Sequence, residues 1–146
     1  TYHDVDEMLL MDIKAEREIK VLDKSAKLRH QWRKSQGAIN IQMPEPMIKV
    51  KNNDEITVEI LEVSPSRQLV AEMMILAGEV GGRYCQTHNI PVPFRGQPQP
   101  ELPSDEELLQ LPAGPVRSCA LRRCMPRSEM GVTPSRHTSL GLDTYT

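Results

Sequence analysis

Apolar residues recur at helical spacing along residues 66–89, SRQLVAEMMILAGEVGGRYCQTHN, and the rest of the chain is arranged on either side of this stretch. At roughly 100° per residue, the pattern gathers the apolar positions within about a third of the helix circumference. We therefore predict one long helix with Ser66 as its N-cap. The predicted core face consists of Leu69, Val70, Met73, Leu76, Ala77, Val80 and Tyr84.

A second, polar row lies beside this apolar stripe and consists of Glu72, Glu79 and Arg83. Glu79 and Arg83 are four residues apart, which favours an ordinary ion pair on the helix surface. Glu72 lies at the edge of the predicted core face, where a carboxylate is costly unless a polar group meets it. We therefore expect a polar group to bind at Glu72.

Three further helices are predicted from capping residues and apolar spacing. Asp4, with Glu7 three residues later, is typical of an N-cap and begins a short helix. A longer amphipathic helix runs from Asp12 to a C-terminal Gly37, with a charged outer face that we interpret as solvated. The sequence from Ser104 to Leu111 begins with a capping box, and VRSCALRRCM adds one or two helical turns.

Strands are predicted where the apolar period changes to two. The candidates are AINI at 38–41, MIKV at 47–50, the alternating stretch 56–63 and HTSLGL at 137–142, and the Asn-Asn-Asp turn at 52–54 pairs the second and third antiparallel. The proline-rich run 90–103 must be extended. The predicted fold is mixed α/β (α+β), with helices packed on a small, mainly antiparallel sheet, in one domain at 1–146.

Composition excludes some classes of protein. The chain of 146 residues has a net charge of −2 and only 3% aromatic residues, which disfavours a uniformly basic nucleic-acid binder or a base-stacking platform. No apolar run approaches the roughly 20 residues of a membrane span. Three cysteines leave an odd thiol, which favours a reducing compartment. Because the chain begins at Thr1 without methionine, we expect a fragment of a longer polypeptide.

Positive charge is nevertheless concentrated near the C-terminal end. Residues 113–137 contain five arginines and a single acidic residue, Glu129. Such a local cluster either binds phosphates or lies on an ordinary surface turn, and both interpretations stay open. The arginines are Arg117, Arg122, Arg123, Arg127 and Arg136.

Four stretches, in order along the chain, resemble the ribonuclease II and ribonuclease R (RNB) family of exoribonucleases, in its plant organellar or cyanobacterial-type branch. WRKSQGAINI resembles the family's R-x-x-x-G-A-I segment, and LVAEMMILAGEVGGRY resembles its E-E-x-M-x-x-A-N helix. PVPFRGQPQP resembles Y-R-x-H-x-x-P, and LRRCMPRSEM followed by HTSLGLDTY resembles the stretch before T-S-P-I-R-R-Y. The resemblance covers roughly residues 2–146.

The resemblance implies part of the catalytic domain of a hydrolytic 3′→5′ exoribonuclease that threads single-stranded RNA through a channel and uses Mg²⁺. It also implies that the metal-binding aspartates precede Thr1 and that the signature arginines follow Thr146. No catalytic or metal-binding residue is therefore expected within the chain. Neither a membrane nor a protein partner is implied, and the expected location is a chloroplast or mitochondrion, with a bacterial cytoplasm as the alternative.

By the same resemblance, Glu72 matches a family glutamate that faces RNA and favours ribose, and a carboxylate can accept a hydrogen bond from a 2′-hydroxyl. Ala71 and Gly78 depart from the family pattern, as does Gln97, which lies at or near the family's histidine. For His137 we expect a structural hydrogen bond. The RNA-binding residues we predict are Glu72, Arg117, Arg122, Arg123 and Arg127.

Two other classes of function compete with this one. The first is a non-catalytic RNA-binding or scaffold relative of the same fold, which would have lost the aspartates. The second is a zinc protein, in which Cys85 and His88 would bind a metal together with Cys119 and Cys124 or with His137. Intact or missing aspartates ahead of Thr1 would distinguish the first, and metal analysis would distinguish the second.

Overall fold

Helices and short antiparallel strands make up the computed structural model, which confirms the predicted α+β class. The structure describes residues 1–11, 17–41, 45–51, 55–61 and 63–146. None of the described helices is both long and apolar enough to span a bilayer. The elements in chain order are α1 (Tyr2–Met11), α2 (Arg17–Ser35), β1 (Glu45–Lys51), β2 (Glu55–Leu61), α3 (Pro65–Thr87), β3 (Phe94–Gly96), α4 (Asp105–Gln110), α5 (Pro115–Cys124), β4 (Glu129–Gly131) and a 3₁₀ helix (Thr138–Leu140).

The chain divides into two compact units. The first comprises residues 1–40, 64–100 and 126–146 and contains α1, α2, α3, β3, β4 and the 3₁₀ helix. The second comprises residues 41–63 and 101–125 and contains β1, β2, α4 and α5. The candidate site described below lies within the first unit.

The N-cap of the long helix α3 lies two residues earlier than predicted. Ser64 is the N-cap, and its hydroxyl accepts from the backbone N–H of Arg67. Pro65 occupies the first helical position, where its missing N–H and fixed φ cost nothing. The N–H of Ser66 donates to the carboxylate of Asp6, with an N···O distance of 2.8 Å, so a side chain of α1 also caps α3. This bond fixes α1 at the beginning of α3.

The predicted core face of α3 is only partly covered, since Leu69, Met73 and Leu76 are half-buried and the other four positions are exposed. Val80 and Tyr84 are more than half exposed, whereas the buried side chains of the helix include Glu72 and Glu79. The apolar stripe and the glutamate row are adjacent on the helix, and the row faces α2. Arginine side chains of α2 meet the two carboxylates there, so each buried glutamate has a positively charged partner.

Helix α2 ends as predicted, at a glycine in the left-handed region. Gly37 has φ 88°, and the N–H groups of Gly37 and Ala38 donate to the carbonyls of Lys34 and Arg33 in a Schellman motif. The predicted start at Asp12, with Ile13 as its first apolar position, lies outside the described residues. Helix α1 begins at Tyr2, because the Thr1 hydroxyl accepts from the N–H of Asp4; Asp4 therefore lies in the first turn and is not the N-cap.

The predicted antiparallel pair is confirmed as a hairpin in the second unit, and its turn at 52–54 lies outside the described residues. Strand β1 pairs with β2 so that Ile48 lies opposite Val58 and Val50 lies opposite Ile56. Residues directly opposite each other share a face, and these four side chains are 62–68% exposed. The other face carries the Lys49–Glu59 ion pair, with an N···O distance of 2.6 Å. The hairpin is thus aliphatic on one face and polar on the other.

Two predicted strands are wrong, and one short strand was missed. Residues 38–41 are irregular, and residues 138–140 form a 3₁₀ helix that ends at Gly141, whose φ is 68°. A left-handed residue reverses the chain, so HTSLGL cannot continue as a strand. Strand β4 lies between the predicted helical turns of VRSCALRRCM and the predicted strand at 137–142. It pairs antiparallel with β3 and places Phe94 opposite Gly131.

The second unit also contains the two short helices. The capping box of α4 is confirmed, since Ser104 and Glu107 exchange side-chain and backbone bonds. Helix α5 is longer than the one or two turns predicted and begins with Pro115. The proline-rich run between α3 and α4 is irregular apart from β3, as expected for an extended segment with few backbone donors.

The C-terminal segment of the chain crosses α3 at two glycines. The N–H of Thr146 donates to the carbonyl of Gly78, and a Cβ on Gly78 would lie 2.4 Å from the Tyr145 ring. A Cβ on Gly82 would lie 3.2 Å from the Thr144 hydroxyl. The missing side chains therefore allow the backbone of 144–146 to lie directly on the helix.

We expect Gly78→Ala to lower the free energy of unfolding by about 1–3 kcal/mol, because the methyl group overlaps the Tyr145 ring and the Thr146 carbonyl. The matched control is Gly81→Ala in the same helix, where the nearest atom would be 3.5 Å from the new Cβ. The control should be neutral or stabilising by up to about 1 kcal/mol, because alanine favours helix. Denaturant titration of both variants measures the difference, and equal effects would contradict the close approach.

Candidate functional site

The buried carboxylate of Glu72 is the centre of the site. Glu72 is 2% exposed and lies on the face of α3 that packs against α2. Its Oε2 accepts from Nε of Arg33 at 2.9 Å, and its Oε1 accepts from Nη2 of the same guanidinium, so the pair is bidentate. His30 contributes Nδ1 at 2.9 Å from Oε1. The polar group expected at Glu72 is therefore supplied by α2.

Arg33 connects this carboxylate to the C-terminal segment. The guanidinium is 6% exposed, and its Nη1 donates to the carbonyl of Leu140 at 2.9 Å. The backbone of Arg33 also lies against the C-terminal segment. A Cβ added to Gly141 would be only 2.7 Å from the Arg33 carbonyl oxygen. The N–H of Ile39 donates to the carbonyl of Ser139 at 3.0 Å. The 3₁₀ helix is thus held against the end of α2.

A second ion cluster lies along the same pair of helices. Glu79 is buried and accepts from Arg29 of α2 and from Arg83, whose Nη2 lies 2.8 Å from Oε1. The predicted Glu79–Arg83 pair is therefore confirmed, although the carboxylate is not on a solvated face. Arg29 also lies over the ring of Trp32, with its guanidinium carbon 4.8 Å from the ring centroid.

Sequence reasoning missed Arg29, His30 and Arg33, because the charged face of α2 was interpreted as solvated. The spacing does carry a signal. Ala26 and Arg33 are seven residues apart, and both are buried, so Arg33 continues the buried row of α2 by two turns. A basic residue in line with an apolar row predicts a buried acidic partner on a neighbouring element.

Burial alone would raise the pKa of Glu72, but hydrogen bonds from Arg33 and His30 outweigh it and hold the pKa below its ordinary value of 4.5. Burial and the positive charge of Arg95 lower the pKa of His137 from its ordinary value of 6.5. The His137 ring lies 3.3 Å from the hydroxyl of Ser139 and edge-on to Tyr145, while its backbone pairs with Leu142. The structural hydrogen bond expected at His137 is present.

The predicted arginines lie in different places. Arg117, Arg122 and Arg123 are on α5 in the second unit, and Arg127 is in the first unit. Arg117 is half-buried, and its Nη2 donates to the carbonyl of Leu111 at 2.8 Å. Arg122, Arg123 and Arg127 are exposed. Helix α5 itself contains three arginines and no acidic residue.

Among residues 1–11, 17–41, 45–51, 55–61 and 63–146, no group of three or more histidine, cysteine, aspartate or glutamate side chains is arranged to hold a metal ion. The zinc interpretation therefore finds no support in this part of the chain. Nδ1 of His88 instead donates to the carbonyl of Tyr84 at 2.9 Å, and the imidazole stacks on the Tyr84 ring.

The chain belongs to the RNB domain family, whose match covers residues 1–146. It is 70% identical over 145 residues to an uncharacterized ribonuclease of Synechocystis sp., covering 99% of this chain and 22% of that protein. It is 39% identical over 152 residues to the chloroplastic/mitochondrial ribonuclease II of Arabidopsis thaliana, covering 99% of this chain and 19% of the relative. The chain thus spans about a fifth of the length of these relatives.

A solved structure shares the fold. RNase R of Mycoplasma genitalium, in complex with ribose-methylated single-stranded RNA, superposes with a TM-score of 0.80 over 99% of this chain and 28% of that protein, at 17% identity. The family resemblance read from the sequence is therefore confirmed.

We expect Glu72→Ala to destabilise the protein by about 3–5 kcal/mol at pH 7, because it leaves the Arg33 guanidinium buried without its partner. Since the pKa of Glu72 is lowered by folding, its contribution is present above the ordinary pKa of 4.5 and is lost as the pH falls through the folded pKa. The difference between wild type and variant should therefore shrink under acid.

Denaturant titrations at pH 7 and in acid measure this difference. The control is Asp143→Asn, which breaks an exposed pair with Arg136 and should change stability by less than about 1 kcal/mol. If Glu72→Ala changed the free energy of unfolding as little as the control does, the buried pair would contribute little to stability.

Proposed function

We propose that this chain is part of the catalytic domain of a hydrolytic 3′→5′ exoribonuclease, where it forms part of the wall of a channel for single-stranded RNA. The observation that carries the proposal is the family match along all 146 residues, together with 70% identity to a ribonuclease over 99% of the chain. Both relatives described above are named ribonucleases, and the superposed RNase R was solved with single-stranded RNA.

The hydrolytic step belongs to other parts of the full-length protein. In this proposal the metal and the reaction it supports belong to residues outside this chain, as the family resemblance implies. What the chain itself contributes is a rigid framework: α2, α3 and the C-terminal segment are joined by buried ion pairs and close backbone contacts.

RNA is held, in this proposal, through phosphates by the exposed arginines Arg122, Arg123 and Arg127, with half-buried Arg117 in support. A guanidinium carries a permanent charge and pairs with phosphate oxygens in a fixed geometry. The location we propose is a chloroplast or mitochondrion, which the name of the Arabidopsis relative supports; a bacterial cytoplasm is the alternative, which the Synechocystis relative supports.

The proposed activity is tested with the full-length protein and with residues 1–146 alone, each given 3′-labelled and 5′-labelled single-stranded RNA. We expect Mg²⁺-dependent release of nucleotides from the 3′ end by the full-length protein and none by residues 1–146. RNA binding by the full-length protein without degradation would favour the non-catalytic relative, and sequencing ahead of Thr1 would then show the metal-binding aspartates to be lost. Degradation by residues 1–146 alone would contradict the assignment of the hydrolytic step to other parts of the full-length protein.

We expect Arg122→Ala and Arg123→Ala each to weaken RNA binding and to reduce the slope of log affinity against log salt by about 0.7, since each removes one phosphate contact to a single strand. Lys27→Ala is the matched control, because Lys27 is an exposed cation already paired with Asp23. Binding titrations at several salt concentrations give the slopes. Slopes unchanged by the arginine variants would remove α5 from the RNA-binding surface.

A further inference from the structure

Three donors, two from buried Arg33 and one from half-buried His30, surround the carboxylate of Glu72 and leave it little freedom to meet a ligand. Arg33 donates two hydrogen bonds, and His30 lies within hydrogen-bond distance of Oε1. A carboxylate can accept about four hydrogen bonds, so three of its sites are taken by protein groups. With 2% of Glu72 exposed, a ribose hydroxyl has almost no surface to approach.

Arg33 links the carboxylate of Glu72 to the C-terminal segment of the first unit. Its three side-chain nitrogens are all used: Nε and Nη2 on Glu72, and Nη1 on the carbonyl of Leu140. A planar guanidinium that is fixed along one edge has its remaining nitrogen fixed in direction as well. The orientation of Glu72 therefore sets the position of the Leu140 carbonyl.

The segment beyond Leu140 depends on that position. Gly141 lies against the Arg33 carbonyl, and the buried residues Leu142 and Thr144 lead to Tyr145, whose carbonyl accepts from the N–H of Arg95 at 2.8 Å. Thr146 then contacts Gly78 and the carbonyl of Pro93. Residues 138–146 thus run from the end of α2, across α3, to β3 as one continuous path. The N–H of Thr138 donates to the Gln97 carbonyl and the Ser139 carbonyl accepts from Ile39, and the Arg33–Leu140 bond then joins the segment to the Glu72 pair.

We propose that Glu72 is a positioning residue that acts through Arg33 to hold segment 138–146, and that it does not itself contact the ribose of the substrate. The proposal rests on the proposed exoribonuclease function, in which this segment belongs to the channel wall. In this proposal Glu72 does not recognise a 2′-hydroxyl. It acts by holding the backbone of segment 138–146, on which other RNA-contacting groups depend.

The test uses the full-length enzyme with Glu72→Ala, Arg33→Ala and the double variant, and with Glu72→Gln and Arg33→Lys in case the larger truncations do not fold. Values of kcat and KM are measured on matched RNA and DNA oligomers. Because the two side chains act as one unit, we expect the single and double variants to lose activity to the same extent, within about twofold. The RNA-to-DNA ratio of kcat/KM should change by less than about twofold in every variant.

Hydrogen exchange of the amides in 138–146 supplies the structural readout. We expect faster exchange in this segment for the Glu72 and Arg33 variants alike, with exchange near Cys85 in α3 unchanged. Arg29→Ala is the matched control: it breaks the Glu79 cluster on the same helix pair but does not touch the 3₁₀ helix, so exchange in 138–146 should stay as in the wild type.

Direct contact with ribose predicts a different result. If Glu72→Ala reduced the RNA-to-DNA ratio while Arg33→Ala left it unchanged, Glu72 would read the sugar itself and the positioning role would be overturned. Additive losses in the double variant, or unchanged exchange in 138–146, would overturn it too. A wild-type enzyme that degrades no RNA would instead contradict the proposed function, so the two failures are distinguishable.

Discussion

The ion pair between Glu72 and Arg33 is the interaction on which the first unit depends. A carboxylate removed from water loses several kcal/mol of solvation, and only a partner with matched geometry restores it. Arg33 supplies that geometry with two parallel hydrogen bonds and still reaches the Leu140 carbonyl. Three segments that are distant in sequence therefore meet at one guanidinium.

Close backbone contact provides the second constraint and complements the first. The ion pair fixes the beginning of the C-terminal segment, and the glycines of α3 fix its end by letting residues 144–146 lie against the helix. Hydrogen bonds also hold this end, from the N–H of Arg95 to the Tyr145 carbonyl and from the Thr146 hydroxyl to the Pro93 carbonyl. Together they give a fixed path to a stretch that contains only one short 3₁₀ helix.

Several elements of this fold were predicted correctly from local patterns, although the N-caps predicted at Asp4 and Ser66 were wrong. The capping box at Ser104 and the left-handed Gly37 depend on residues within one turn, and both were predicted. The burial of Glu72 and Glu79 was not predicted. Periodicity ranks the faces of one helix by hydrophobicity and carries no information about the partners Arg29 and Arg33 on α2. The family was recognised from four motifs in order, which carry information that no single amphipathic pattern holds.

Tertiary contacts also explain the mistaken strands. Residues 137–142 have the composition of a strand, yet the positive φ of Gly141 and the bond from Arg33 turn the chain back on itself. Residues 38–41 are mostly apolar, but the N–H of Ala38 donates to Arg33 at the end of α2 and the N–H of Ile39 donates to Ser139 in the 3₁₀ helix, so these two groups are not available to a strand. In both places a contact from a distant residue overrides the local preference.

The hairpin of β1 and β2 has a practical consequence for anyone who handles this polypeptide. A two-stranded sheet has an outer edge on each strand, and here those edges border a ladder of branched aliphatic side chains in water. Such a surface can recruit strands from neighbouring molecules, and attraction of this kind strengthens in sulfate or phosphate salts. Dilute samples in low-salt buffer, with a mild non-ionic detergent, are the conditions under which its solution properties are best measured.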